Sequence, residues 1–446
     1  MSEAYDRRVE RATGPTLVAN ADLSERKPLR ICFVVDGRSP IALNWMTYFI
    51  QPQHEVHVIS SYPCSSDALI GATLYEAPVA FAGFSGASQA RYTEFSGIKE
   101  SRPSALASMR SKAVAKLSLA AQHWLLPFDL RGQAQRVKEL IEQISPDIVH
   151  AMRIPFEGIL GAKAADSRVP LLISVWGNDF TLWAAKNSMI ARQTRQALQR
   201  ADALHCDCRR DLDLAKRTWG FDSKKPTTVL PGAGGVQASL FHPGEPDASL
   251  RRELNISEHA PVIFNPRGFR GYVRNDVFFR AIPQILRKHP KAVFICSAME
   301  GNPVAQRWVR RLAIEDSVRL LPSVPREQMA DLFRLASVAV SPSLHDGTPN
   351  TLLEAMACGC FPVAGDIESV REWITEGVNG LLCDPTEPEL LAHAIIQALG
   401  DAGIRDRARE QNIRLIAQRA EYGKVMRQAE EFYFRIVERN QAGARV

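Results

Sequence analysis

The sequence predicts an α/β protein of two domains, each a parallel β-sheet covered by helices on both faces, with a cleft between them. Three observations carry this. Short β-branched runs alternate with helical stretches along the chain, the pattern of parallel sheets buried on both faces. The alternation breaks once, at the Gly- and Pro-rich stretch PGAGGVQASLFHPGEP, and then restarts. A chain of 446 residues with 46% hydrophobic and 23% charged residues is also large enough for two domains of ordinary size.

In the first half the strand candidates are ICFVV, HVIS (57–60), DIVHAM (147–152), LLISVW (171–176), ALHC (203–206) and TTVL (227–230), with a helix from about Ile41. The second half supplies VIFNP (262–266), AVFIC (292–296), SVRLL (317–321), SVAVSP (337–342), FPVAG (361–365) and GLLC (380–383). From about Gly403 the tail reads as helix, with Ile413, Leu415, Ile416, Val425, Met426, Phe432, Tyr433 and Ile436 in an amphipathic pattern long enough to cross between domains. The domains are therefore set at residues 28–240, joined by a returning C-terminal helix at 419–446, and at 241–418. Residues 1–27 read as a polar, mobile tail.

Several classes are excluded. No apolar run reaches the roughly 18–20 residues of a membrane-spanning helix. The N-terminus MSEAYDRRVERATG lacks the apolar centre of a secretory signal, which points to the cytoplasm. The eight cysteines include the pairs Cys206/Cys208 and Cys358/Cys360 but no CxxC, so buried free thiols and no metal are expected. The formal net charge of +6 is concentrated in residues 101–140, where seven Lys/Arg stand against Asp129 and Glu139. Leu117, Trp124 and Phe128 are interleaved there. That composition suits either a solvated helix with its apolar side in a core or peripheral contact with an anionic membrane surface. No nucleic-acid partner is expected.

In α/β sheets ligands sit beyond the carboxyl ends of strands, often on a helix N-terminus. After the first strand the chain reads VVDGRSPIALNW, with one glycine where a dinucleotide fingerprint needs three, and no Walker loop is present. The second half offers SLHDGTPNTLLEAMACG after SVAVSP. Gly347 permits a tight turn, Thr348 or Asn350 can cap, Pro349 suits a first helical turn, and Thr351 stands three before Glu354. Free backbone N–H groups and the helix dipole favour a diphosphate there. Asp346 and Glu354 flank it; carboxylates repel phosphate but accept hydrogen bonds from hydroxyls. The combination suits a ligand with phosphates in the middle and sugars on both sides.

The stretch PSLHDGTPNTLLEAMACGCFPVAGDIESVREWITEGVNGLLCDP resembles the signature of the retaining glycosyltransferases of family 4, in which an acid is followed by seven residues and a Glu. Asp346 and Glu354 occupy those positions, with Asp in place of the usual first Glu. The resemblance implies the GT-B fold, two Rossmann-like domains facing across a cleft. It also implies that Glu354 binds the ribose of a nucleotide sugar, that Asp346 holds sugar hydroxyls, and that the segment Gly347, Thr348, Pro349, Asn350 and Thr351 meets phosphate and sugar through its available N–H groups. NPRGFRGYVRNDVFFRAI is similar to the segment whose two basic side chains neutralise the diphosphate: Arg267 fits the first, and Arg270 or Arg274 the second. LPSVPREQMADLFRLA resembles the loop beneath the base, placing Ser323 and Val324 near it. VLPGAGGVQASLFHP is like the interdomain segment, covering Gly235, Val236 and Phe241.

DIVHAMRIPFEGILGA resembles the family's DxVHxH segment, but Met152 stands at the second His. His150, Arg153, Glu157 and Asp179 of VWGND are the polar candidates nearby. Asp211 and Asp213 imitate a metal-binding DxD, yet residues two apart on a helix do not face each other, so they read as a solvated face. The implied reaction is transfer of a sugar from a UDP- or GDP-sugar to a hydroxyl of a glycan or lipid-linked acceptor with retention, in polysaccharide or glycolipid synthesis, without cofactor or metal. An epimerase or hydrolase on the same fold and a non-catalytic nucleotide-sugar-binding protein are the rivals.

Overall fold

The computed structural model describes residues 26–51, 54–78, 132–186 and 188–443. The first domain is a seven-stranded sheet in the order β3-β2-β1-β4-β5-β6-β7. Its strands are β1 (Arg30–Val35), β2 (Glu55–Ser60), β3 (Thr73–Glu76), β4 (Ile148–Met152), β5 (Leu171–Val175), β6 (Ala203–Cys206) and β7 (Thr227–Val229). The second is a six-stranded sheet ordered β10-β9-β8-β11-β12-β13. It comprises β8 (Val262–Asn265), β9 (Val293–Cys296), β10 (Val318–Leu320), β11 (Val338–Ser341), β12 (Phe361–Gly365) and β13 (Leu381–Cys383). Neighbouring strands run parallel throughout, from Ile31 opposite Ile148 to Val363 opposite Leu381. β3 is absent from the sequence reading: TLYE is four residues on a sheet edge and buries none of them, so it leaves no apolar signature.

Strand order reverses between β1 and β4 and again between β8 and β11. Such switch points open crevices at the carboxyl ends of the strands, and these two crevices form the facing walls of the cleft. Two apolar layers cover the first sheet. One joins Val149, Leu171 and Ile173 to the helix at 132–144 through Val137, Leu140 and Ile144. The other joins Phe33, Trp45 and Phe49 to the last helix, Tyr422–Gly443, through Val425, Met426, Phe432 and Tyr433. Burial of each such large side chain contributes about 1.5–3 kcal/mol, which fixes the last helix to the first domain. The preceding helix, Ala402–Arg419, packs on the second domain through Ile404, Ala408 and Ile416. The tail therefore crosses between the domains at Ala420–Glu421.

The interdomain linker runs beside that crossing. The Val236 N–H donates to the Ala420 carbonyl at 2.7 Å, and the Tyr422 N–H returns to the Val236 carbonyl at 2.9 Å. Gly235 makes this possible: its φ is +90°, and a Cβ would lie 2.3 Å from the Ala420 oxygen. Residues 101–131 of the basic segment lie outside the described residues. Its remainder, 132–140, begins the helix at 132–144, whose apolar side is core.

Candidate functional site

The donor-side wall is built from the loops after β8 and β11. Arg267, just past β8, donates to Ser343 Oγ at 3.1 Å and to the Asp346 carboxylate, and both members of this ion pair are largely buried. The Asp346 backbone oxygen accepts the Ser369 hydroxyl at 2.7 Å, so the loop is held from two directions. The helix Asn350–Ala357 follows with Pro349 at its N-cap and no side-chain cap. This corrects the capping expectation: the Thr348 hydroxyl donates instead to the Asp207 carbonyl of the other domain. The first N–H groups of the helix remain available to a ligand.

Glu354 lies one helical turn in, with its side chain 14% exposed. Burial pushes its carboxyl up to about 7, against the pull of Arg326, whose guanidinium stands 3.5 Å away. Arg326 lies over the Phe241 ring and reaches Asn44 Oδ1 of the first domain at 3.2 Å. Arg270 donates to the Tyr272 hydroxyl at 2.9 Å, and the Tyr272 ring lies beneath the Arg267 guanidinium, so Arg270 belongs to the Arg267 cluster. Arg274 is instead paired twice with Asp276, at 3.0 Å. Ser323 is exposed and Val324 half-buried, on the loop that leads into the helix Arg326–Leu335.

On the acceptor side, most candidate groups are satisfied internally. Asp179 is buried and accepts from the backbone N–H of Trp176 at 3.0 Å, that of Ile154 at 3.2 Å, and Arg153 Nε at 3.2 Å. These bonds clamp a turn in which Arg153 and Phe156 hold positive φ, 95° and 72°. Such backbone costs of order 1–3 kcal/mol per residue and persists only where its surroundings impose it. Glu157 is buried against the Ser61 hydroxyl at 2.6 Å, and burial pushes its carboxyl up to about 8. Met152, the last residue of β4, is buried in the core.

His150 is wholly buried inside a hydrogen-bonded chain. Trp45 Nε1 donates to the Tyr433 hydroxyl (3.1 Å), which contacts His150 Nδ1 (2.5 Å). His150 Nε2 meets Ser174 Oγ (2.7 Å), Ser174 Oγ meets His205 Nδ1 (2.8 Å), and His205 Nε2 meets the Leu230 carbonyl (2.8 Å). A carbonyl only accepts, so His205 carries its proton on Nε2. Each earlier group then donates in the same direction, with both rings neutral. Burial holds both imidazoles below their usual range, His205 at about 4. The chain binds the last helix to the sheet and holds His150 away from the cleft.

Asp213 is exposed, as expected, but Asp211 is not: it is fully buried and ion-paired with Arg210 at 2.7 Å. The spacing argument was right about divergence; one of the two diverging faces points into the protein. Asp207, Cys208 and Asp211 present ligand atoms within 4.8 Å of one another. Arg210 occupies one oxygen of Asp211, and the Gly177 N–H occupies Asp207 Oδ2 at 3.1 Å.

The two walls touch. A Cβ on Gly177, after β5, would lie 1.7 Å from the Gly347 nitrogen, and one on Gly347 would lie 2.1 Å from Asp207 Oδ2. Glu372 of the second domain accepts the backbone N–H groups of Arg209 and Arg210 at 2.9 and 3.0 Å, capping the helix Arg209–Arg217 across the cleft. Arg210 also reaches Ser369 at 3.3 Å.

Residues 247–415 match the family model of glycosyl transferases group 1, and residues 53–232 match that of the glycosyl transferase 4-like domain. The chain belongs to the group 1 glycosyl transferases. Its two-domain fold is that of solved structures with which it shares little sequence. Sucrose-phosphate synthase from Thermosynechococcus elongatus superposes with a TM-score of 0.68 at 15% identity, over 92% of this chain and 99% of that one. Anabaena Alr3699/HepE in complex with UDP superposes with a TM-score of 0.67 at 16% identity, over 90% and 99%. The D-inositol 3-phosphate glycosyltransferase of Kribbella flavida is 28% identical over 58% of this chain and 64% of its own length. That of Corynebacterium kroppenstedtii is 29% identical over 57% and 60%. The chain thus spans less than two thirds of these curated relatives.

Within this group 1 transferase the structure adds residues that sequence reasoning missed. Arg326 was part of a recognised segment but carried no signal that it would reach Glu354. Asp207 is not among the residues singled out in the sequence for donor or acceptor binding. Its position immediately beyond the last residue of β6, at the carboxyl end of a parallel strand, was the available clue.

Proposed function

We propose that the protein transfers a sugar from a nucleotide diphosphate sugar to an acceptor hydroxyl, with retention of the anomeric configuration. The observation that carries this reading is the convergence of Arg267, Asp346 and an uncapped helix start at one end of the cleft, with Glu354 buried one turn further on. A fixed guanidinium and oriented N–H dipoles suit a diphosphate leaving group, since they are in place before charge develops. Glu354 and Asp346, set apart along the same loop and helix, suit the ribose and the transferred sugar. UDP is present in the Anabaena structure of the same fold, which supports a UDP-sugar donor.

For the acceptor we propose a hydroxyl of a glycan or lipid-linked molecule, in polysaccharide or glycolipid synthesis. The named relatives act on an inositol phosphate. Here the arginines at the ends of β1 and β4 are ion-paired, Arg38 with Asp36 at 3.0 Å and Arg153 with Asp179 at 3.2 Å. The departing phosphate can take the acceptor's proton, so no covalent nucleophile is required.

The test is incubation with UDP-glucose, UDP-N-acetylglucosamine and GDP-mannose, with and without lipid-linked and oligosaccharide acceptors, followed by NMR of the anomeric linkage. Acceptor-dependent product with the donor's configuration is expected. Free sugar released at the same rate without acceptor would instead make the protein a hydrolase.

A further inference from the structure

Among the described residues, seven buried side-chain polar atoms have no hydrogen-bond partner. Four of them, Trp176 Nε1, Asn178 Oδ1, Asp207 Oδ1 and Asn350 Oδ1, lie on the loops that meet at Gly347. Trp176 and Asn178 flank Gly177, which touches the Gly347 backbone. Asp207 also lies against Gly347, and its side chain shares a neighbour, Gly232, with the Trp176 indole. Asn350 opens the donor-side helix. Buried polar atoms are otherwise almost always paired, so a concentration of exceptions on facing walls marks where a ligand's polar groups go.

Their chemistry says which groups. Three are acceptors and one is a donor. An ionised phosphate has no proton to give a carboxylate or an amide oxygen, and Asp207 would repel it. Sugar hydroxyls each donate one hydrogen and accept others, so a sugar, which carries several, suits acceptors and donor alike. The Gly177 N–H on Asp207 Oδ2 fixes the carboxylate and leaves Oδ1 as the free acceptor. Asp346, the chain neighbour of Gly347, has its carboxylate held by Arg267.

We propose that Asp207 is the first domain's contact to the transferred sugar, accepting one of its hydroxyls while Asp346 of the second domain accepts another. The proposal rests on the nucleotide-sugar reading above. It divides labour between the domains: the second binds nucleotide and diphosphate, and the sugar is gripped only where both domains meet it. Recognition of the sugar is then coupled to domain closure, whereas binding of UDP is not.

The experiment compares wild type with Asp207→Ala and Asp207→Asn, measuring UDP affinity calorimetrically and kcat/KM for whichever of UDP-glucose, UDP-N-acetylglucosamine or GDP-mannose the wild type turns over. UDP affinity within about twofold of wild type, with kcat/KM reduced at least tenfold and mostly through kcat, supports the assignment. UDP binding doubles as the check that each variant is folded. Wild-type kcat/KM in both variants overturns it, and so does a loss of UDP affinity equal to the loss of transfer, which would make Asp207 a structural contact between the domains. A wild type that neither binds UDP nor turns over any donor overturns the functional reading itself, and this assignment with it.

Discussion

On the donor side, the ion pair Arg267–Asp346 and the acid Glu354 come from two loops and the first turn of one helix, beside a helix start with no side-chain cap. On the acceptor side, His150, Arg153, Glu157 and Asp179 come from β4 and the turns after β4 and β5 and are occupied by one another, by the backbone or by buried hydroxyls. The acceptor-side charges hold a strained turn and a packed helix, whereas the donor-side charges, also paired, stand beside N–H groups that no side chain caps. Charge in a cleft is therefore a poor guide to function by itself; what differs between the two walls is whether unpartnered groups stand beside it.

That contrast can be broken from the donor side first. Arg267→Ala should lower turnover about 100- to 1,000-fold, the scale on which one preorganised charge-stabilising donor is felt, and Arg267→Lys should recover only part because an ammonium lacks the fork. Steady-state kinetics on folded protein checks it. Near-normal turnover in Arg267→Ala would place the diphosphate elsewhere.

Next in size is Glu354→Gln, which should weaken donor binding by about 1.5–3 kcal/mol, the range of a hydrogen bond to a charged group. The pH dependence sharpens this. Burial sets the Glu354 carboxyl at about 7, and the ionised form is the better acceptor for ribose hydroxyls, so wild-type donor affinity should rise between pH 6 and pH 8. Calorimetry across that range should show the rise in wild type and a flat profile in Glu354→Gln.

Tyr433→Phe probes the acceptor side and should act on stability rather than turnover. It leaves the Trp45 N–H and His150 Nδ1 without their shared partner, at a cost of about 1–3 kcal/mol. Urea unfolding should show the loss while kcat stays close to wild type. A large fall in kcat with unchanged stability would instead give His150 a part in the reaction.

The smallest expected effect is none. Arg267 and the open helix start can neutralise a diphosphate without a metal ion, so activity should persist in excess EDTA. Loss of activity restored by magnesium or manganese would direct attention to Asp207, Cys208 and Asp211.

The same contrast explains what could be read from the sequence. Both sheets were legible as contiguous apolar runs, the linker as a Gly- and Pro-rich break between them, and the crossing tail as an amphipathic pattern. β3 was not, being a short edge strand without a buried face. The donor loop was legible because Asp346 to Glu354 form one continuous segment whose spacing is set by a single strand–loop–helix unit. Asp207, Trp176 and Asn178 meet Gly347 only through the folding of two sheets against each other, so no local spacing announces them. Asp211 shows the same limit: helical geometry separates it from Asp213, but only the tertiary structure reveals which face is buried, where its neighbour Arg210 pairs with it and is anchored on Ser369 of the second domain.

The most direct measurement is a crystal structure of the protein with UDP. The account predicts ribose hydroxyls within hydrogen-bonding distance of Glu354, and a diphosphate on the Gly347–Thr351 backbone with the Arg267 guanidinium turned onto it from Asp346. UDP bound away from Glu354, or a diphosphate contacted by neither Arg267 nor the helix start, would contradict it.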